Sequence, residues 1–541
     1  MHTVNFLLEL AARERPKNRL VWDDGQTRSY SDLLLASRCC AGALTKLGIG
    51  KGDRVAFWLP NSWAYLDFML ATMQLGAIVV AVNTRFRAAE VGGIIGHTRP
   101  KALIMSPDFH GIPFRDILTD VDAAKLTSVG TMILCDGHGA VEALLQGRRI
   151  ATYEWALGQE ASILKPLPDD DCAIFTTSGT TSGPKFVLHK HHSIADHASD
   201  AAKAFGYDDH DTQLLHPLPF CGIFGFSQLT ATLAAGADSV FMTTFDAADS
   251  AVLMKQHGVT HTSGTDDLLK RMLDATDEKR PFPHLRECVY AGFNPTLSRF
   301  PEEAEQRGMH LLGCFGMSEI HSFFSRQKSD LPVEHRKRPG GVPVTRGTVV
   351  RARDTESGKV LAGGMVGELE IWSPNMFSVY YRQPEATKAA FTEDGFFRTG
   401  DFGRTFEDGS YEFVGRRGDF MRLAGFLVNP LDIELELQAV PGIKTAIVVE
   451  APSVVGTRAI AFIKLQPGAA WDENLVKSHC ESRLANFKVP ALFVPVEDLP
   501  TAVSPNGEKV QRGKLKAIAA ALMEEAFPVS AGQSTVDNAK T

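Results

Sequence analysis

The sequence has no run of about twenty apolar residues, so no transmembrane helix is expected. It has no basic stripe. Its 56 Lys and Arg stand against 64 Asp and Glu, a net charge of −8, and this argues against nucleic-acid binding. Cysteine is sparse and unpaired in pattern. Cys39, Cys40, Cys135, Cys172, Cys221, Cys288, Cys314 and Cys480 form no C-x-x-C pair and flank no spaced pair of histidines. Free thiols in a reducing compartment are expected, rather than disulfides or zinc. The opening stretch MHTVNFLLELAARERP has a short apolar run broken by Glu9 and no basic leader. It predicts no secretion signal, which leaves the cytoplasm as the expected location. There is no internal repeat and no long low-complexity run. What is present is an ordinary globular composition, 44% hydrophobic and 22% charged over 541 residues. That length is too great for one core, so a large domain and at least one other are expected.

Strand and helix signals alternate from the start. Arg54–Leu59 (RVAFWL) reads as a buried strand, Ser62–Leu75 as a helix and Ile78–Val82 (IVVAV) as the next strand. Such βαβ units predict an α/β fold of mixed or parallel sheets with helices between. The alternation runs to about residue 400, where a hairpin-like FEDGSYEFVG leads into VGRRGD, a boundary candidate. Beyond it Asn429-Pro430 suits a helix start. LDIELELQAV, TAIVVE, IAFIKL, a helix near Glu473–Leu484 and a strand near Ala491–Val496 make a small α+β module. The division expected is a large domain over 1–415, a hinge over 416–418, a small mobile domain over 419–528 and a disordered tail over 529–541.

Chemistry concentrates in Ile174–Val187 (IFTTSGTTSGPKFV). Gly179 and Gly183 allow close backbone approach. Thr176, Thr177, Ser178, Thr180, Thr181 and Ser182 supply hydroxyls, and Lys185 supplies a cation. A phosphate chain calls for many donors, little bulk and positive charge. A Walker A loop is excluded, because Pro184 precedes Lys185 and the strand-like Phe186-Val187-Leu188 follows where a helix should begin. The segment reads as a turn between two strands. His189, Lys190, His191 and His192, next in line, lack zinc-type spacing and read as a solvated loop after the strand.

TTSGTTSGPK closely resembles the phosphate loop of adenylate-forming enzymes, the superfamily of acyl-CoA synthetases, peptide-synthetase adenylation domains and luciferases. Further motifs follow in that family's order, so the resemblance spans about Thr27 to Leu522. It implies a large multi-subdomain N-terminal domain with a small C-terminal cap. Gly313–Glu319 (GCFGMSE) resembles the motif that carries adenine and metal contacts. The resemblance implies Phe315 and Gly316 near adenine, Ser318 by the α-phosphate and Glu319 on Mg²⁺. Gly367–Ile371 (GELEI), Tyr380–Pro384 (YYRQP) and Phe391–Asp401 (FTEDGFFRTGD) keep the family spacing. Asp401 is implied for ribose, and Arg416 for ribose or phosphate. Gly418 falls at the hinge position and Arg422 where a lysine is common. In SPNGEKVQRGK, Lys509 aligns with the lysine that enters the site during adenylation. A positioned ammonium there offsets the repulsion between an attacking carboxylate and phosphate.

The acid site is expected along His216–Gln228, Val259–Asp266 and Tyr290–Pro295, with Phe220, Cys221, Ser263, Gly264, Ala291 and Met317 lining it and Gly292 and Phe293 beside the nucleotide. Glycines here suggest either room for a bulky group or close backbone packing. The expected activity is ATP- and Mg²⁺-dependent adenylation of a small-molecule carboxylic acid, fatty, aromatic or polycyclic rather than an amino acid, followed by transfer to coenzyme A. The alternatives are loading of a carrier-protein thiol and binding of nucleotide or acyl group without turnover. A homodimer is left open.

Overall fold

The computed structural model describes residues 1–526 apart from 108, 110, 136–146, 178–183, 295–296, 417, 419, 424–425, 454–455 and 505–506. The chain packs as two units. One comprises residues 1–292, 299–399 and 404–413, and the other 293–298, 400–403 and 414 onward.

The first unit carries two sheets. In the eight-stranded sheet, Arg54–Trp58 lies between Ile78–Ala81 and Ala102–Met105, all parallel. Ile78–Ala81 and Ala102–Met105 are buried along their whole length. That is the behaviour of parallel strands covered by helices on both faces, and it explains the uninterrupted apolar runs in the sequence. The helix Trp63–Gln74 is capped by the Ser62 hydroxyl, which accepts from Tyr65 N, and is itself buried throughout. Its one charge, Asp67, is met by Arg28 at 2.8 Å and by the Tyr153 hydroxyl. Burial pushes the Asp67 carboxyl up to about 6 against the pull of Arg28. Farther along the sheet, Asp171–Thr177 runs parallel to Ile78–Ala81 and turns back antiparallel as Lys185–Lys190. The short strand Val379–Tyr380 adds itself at that edge.

In the thirteen-stranded sheet, Gln213–His216, His261–Thr265, Glu287–Ala291 and Leu311–Met317 are parallel neighbours in that order. The chain then reverses through a tight turn into His321–Arg326. The second unit holds the antiparallel pair Ile443–Ser453 and Gly456–Leu465, joined in parallel by Leu492–Pro495, with the helices Pro430–Gln438 and Glu473–Arg483. Asn429 caps the first of these helices through Leu431 N. Every strand and helix named in the sequence analysis is present, and the antiparallel pair of the second unit runs a few residues longer than its apolar stretches alone. All eight cysteines are free. Among the described residues no helix is long and apolar enough to cross a membrane.

The histidine run is not a solvated loop. The strand extends through Lys190, a helix begins at His191, and His189 and His191 are fully buried. The reason is tertiary. The His321 ring lies 4.4 Å from the His189 ring and 4.3 Å from that of His197, which is stacked on it. Burial lowers His189 to about 4 and His197 to about 3, and holds His321 well below its ordinary value, so the stack is neutral near pH 7. The depressed bases contribute stability that is complete above pH 6.5 and lost as pH falls toward those values. His197 Nε2 finds no hydrogen-bond partner among the described residues, so His197→Leu should cost little at pH 7.5. Between pH 6.5 and 5 it should remove about 2 kcal/mol of the acid-induced loss. Thermal unfolding midpoints of both proteins across that range check this; parallel curves would contradict it.

Candidate active site

The hairpin of Asp171–Thr177 and Lys185–Lys190 sets Thr177 directly opposite Lys185. Ser178, Gly179, Thr180, Thr181, Ser182 and Gly183 lie outside the described residues. Lys185 is held from the far side. Its Nζ lies 3.5 Å from the Tyr380 hydroxyl and 4.7 Å over the centre of that ring, a cation–π contact. The Tyr380 hydroxyl in turn donates to Glu319 Oε1 at 2.8 Å. Tyr380 and Glu319 are both buried. Burial first, and the Glu319 charge second, push the phenol well above its ordinary value, so it stays protonated and donates.

The backbone enforces the same arrangement. Phe377 N donates to the Glu319 carbonyl at 2.8 Å, and Tyr380 pairs with Val187 in the added strand. The Gln383 side chain accepts from Phe186 N at 3.1 Å and donates to the Pro184 carbonyl at 3.1 Å. Both neighbours of Lys185 are therefore gripped by one amide. His97 stacks on Phe186 with ring centres 4.0 Å apart and bonds the Tyr381 carbonyl.

Glu319 and Ser318 sit in the turn after Leu311–Met317. Gly316 is required there, since a Cβ would lie 2.3 Å from the His321 carbonyl on the returning strand. His321 itself takes a left-handed φ of 67°, an uncommon conformation for a residue with a side chain. The turn is backed by the histidine stack. His189 Nε2 donates to the Ser318 carbonyl at 2.7 Å and His321 Nε2 to that of Asn375 at 3.0 Å. A carbonyl can only accept, so both rings carry their proton on Nε2. Phe315 is buried between Tyr411 and Phe413, with ring centres 5.7 and 5.4 Å away. Met317 packs half-buried on the same cluster.

The residues expected around the acid are mostly packed inside. Phe220 is fully buried against Tyr65, His216 and Phe241, and its N–H donates to Asn61 Oδ1. Burial pushes the Cys221 thiol up to about 11, so it is no thiolate nucleophile. The buried Ser263 hydroxyl donates to Gln228 Oε1 at 2.8 Å. At two of the glycines an added side chain would meet a neighbour closely. A Cβ on Gly264 would meet the Leu269 side chain at 2.9 Å, and one on Gly292 the Tyr290 hydroxyl at 2.6 Å. Ala291 ends its strand half-buried, while Gly292 and Phe293 are exposed.

In the second unit Asp401, which is 6% exposed, meets Arg416 Nε at 3.9 Å. Gly418 is an exposed turn residue whose surroundings leave room for a side chain and whose φ is not left-handed, so this conformation does not itself require glycine. Lys509 belongs to the strand Gly507–Val510, opposite Ala502 in the hairpin with Thr501–Ser504. Arg512, three residues on, is anchored to the buried Glu434 at 2.8 Å and to the Val448 carbonyl.

The structure thus joins Lys185 to Glu319 through a residue to which the sequence analysis gave no role. Tyr380 and Gln383 stood in YYRQP, noticed only for its spacing. Glu319, a buried carboxylate, is a side chain that could hold Mg²⁺. Among the described residues no three acidic, His or Cys groups form a metal cage. A single buried carboxylate fits a cation that takes its other ligands from phosphate and water.

Comparison with known proteins identifies the family. Residues 8–381 match the family described as AMP-binding enzyme. The chain is 31% identical over 530 residues to pyochelin synthase PchD of Pseudomonas aeruginosa (strain UCBPP-PA14), covering 95% of this chain and 92% of that protein. It is 30% identical over 544 residues to 2-hydroxy-7-methoxy-5-methyl-1-naphthoate–CoA ligase of Streptomyces carzinostaticus, again covering 95% and 92%. The ATP-bound crystal structure of MatB from Rhodopseudomonas palustris superimposes with a TM-score of 0.82 at 26% identity, covering 96% of this chain and all of that one. The chain belongs to the AMP-binding enzymes, the adenylate-forming superfamily.

Proposed function

We propose that this enzyme activates a carboxylic acid with ATP and then forms a thioester with coenzyme A. The observation that carries the reading is the meeting of Lys185 and Glu319 on one buried tyrosine, at the foot of a hydroxyl-rich hairpin. An ammonium and a carboxylate held close together suit a triphosphate and its counter-cation, the one pairing with phosphate oxygens and the other with the metal. Membership of the AMP-binding enzymes and the likeness to an ATP-bound structure support the same reading.

In the first step a carboxylate oxygen of the acid attacks the α-phosphorus of ATP. The bond to the bridging oxygen breaks, pyrophosphate leaves, and an acyl adenylate remains. Lys185 and the Ser178–Gly183 hydroxyls hold the phosphates, and Ser318 stands by the α-phosphate. Phe315 and Gly316 bound the adenine, and Asp401 with Arg416 takes the ribose. Glu319 would hold Mg²⁺, which when bound would neutralise charge on the phosphates. Lys509 offsets the charge that builds as two anions approach. In the second step the thiol sulfur attacks the acyl carbonyl, AMP leaves and the thiol gives up its proton. Gly418 serves the rearrangement between steps, in which the C-terminal module withdraws Lys509. The acid is held among Phe220, Cys221, Ser263, Gly264, Ala291 and Met317.

The acceptor has a second candidate. Relatives at 30–31% identity include a synthase named for pyochelin as well as a ligase named for CoA, so a carrier-protein thiol is the alternative. Offering CoA and a phosphopantetheinylated carrier in parallel decides between them, and thioester formed on the carrier alone would replace the CoA reading.

Labelled pyrophosphate should exchange into ATP only when a suitable acid is present, across a hydroxamate-trapping panel of fatty, aromatic and polycyclic acids. Silence over the whole panel would favour a binder without turnover. Lys509→Ala should lower adenylate formation about a thousandfold while leaving thioester formation from supplied adenylate intact; equal loss of both steps would show that Lys509 does not act specifically in adenylation. Glu319→Gln should raise the Mg²⁺ concentration for half-maximal exchange about tenfold, measured by titrating Mg²⁺ at fixed ATP, and an unchanged titration would take the metal off Glu319.

A further inference from the structure

We infer that Tyr380 is a positioning residue that keeps Lys185 and Glu319 apart as two separately usable charges. The inference rests on the proposed ligase activity only in giving those two residues their tasks. The geometry stands without it. The phenol touches both groups, accepting from the ammonium at 3.5 Å and donating to the carboxylate at 2.8 Å. Its ring lies beneath the ammonium, 4.7 Å from ring centre to Nζ.

An ammonium and a carboxylate this near each other in a largely buried setting are drawn into direct contact. A direct pair would spend both charges on one another. A neutral phenol between them gives each a hydrogen bond and gives the ammonium a ring face as well. Being neutral, it cancels the charge of neither. The hydroxyl cannot drift, because its residue is fixed on three sides. Tyr380 N donates to the Thr387 hydroxyl at 2.9 Å, Tyr380 pairs with Val187, and Gln383 grips the residues before and after Lys185. The ring is buried against Phe377 at 4.8 Å. Rigid packing of this kind is what a spacer needs and what a merely space-filling tyrosine does not require of its hydroxyl.

The test is Tyr380→Phe, which keeps the ring and removes the hydroxyl, alongside Tyr380→Phe combined with Glu319→Gln. The first readout is the rate at which acetic anhydride modifies Lys185, measured by peptide mass spectrometry against the exposed Lys359 in the same chain. Without the hydroxyl, Lys185 should close onto Glu319 and react about tenfold more slowly. The double variant should restore the rate, since the carboxylate that captures it is gone. The second readout is binding of Mn²⁺ with ATP, followed by the paramagnetic resonance of free Mn²⁺; Tyr380→Phe should weaken it about tenfold. A hydroxyl that only supports the fold would lower the unfolding midpoint in both variants and give no recovery in the double. Unchanged Lys185 labelling in Tyr380→Phe, or labelling that stays slow in the double variant, overturns the inference. A wild-type chain that exchanges pyrophosphate with no acid would sink the ligase reading, while the labelling comparison would still decide the spacer.

Discussion

The site depends on a two-residue strand. Val379 and Tyr380 add themselves to the edge of the eight-stranded sheet beside Leu188 and Val187, and this pairing converts three distant stretches of chain into one arrangement. A sheet edge offers unpaired N–H and C=O groups, and anything that satisfies them is held in register by the ladder itself. Register then dictates the side chains. With Tyr380 opposite Val187, Gln383 falls where it can bond on either side of Lys185, and Phe377 falls beneath the Glu319 carbonyl. A slip of one residue would turn Tyr380 to the other face and part Lys185 from Glu319.

Behind the turn that carries Ser318 and Glu319, polar groups are held neutral by burial. His189, His197 and His321 stack in the interior, and two of them spend their one N–H on backbone carbonyls near the turn. A neutral imidazole braces such a turn without adding charge behind the Glu319 carboxylate. Two other buried carboxylates are paired in the usual manner. Glu370 is fully buried between Arg351 and Arg353, and Glu434 in the second unit takes Arg512 and the Val448 N–H. That second contact fastens the chain three residues past Lys509, so the hairpin carrying the lysine is tied at its base, where Gln511 N also donates to the Pro500 carbonyl.

Of the two parts open to glycine along the expected acid site, close packing is the one seen at Gly264 and Gly292. At Gly264 and Gly292 the missing side chain is filled by Leu269 and Tyr290, and at Gly316 by the returning strand. These positions allow close packing of backbone and neighbours. They do not by themselves enlarge a cavity.

The sequence by itself determined the alternation of strand and helix, because apolar runs such as IVVAV and buried helical faces are local properties of the chain. It also determined the family, through TTSGTTSGPK and GCFGMSE, and the α+β character of the C-terminal module. It could not assign the histidines after Lys185. A buried neutral imidazole and a solvated one look the same until the partner ring, His321, is brought alongside from about 130 residues away. For the same reason Tyr380 passed as spacing. Its hydroxyl acquires a role only when strand pairing sets it between an ammonium and a carboxylate that are 134 residues apart in the chain. Local pattern fixes which elements form. Long-range hydrogen-bond register decides which side chains meet, and that information belongs to the fold.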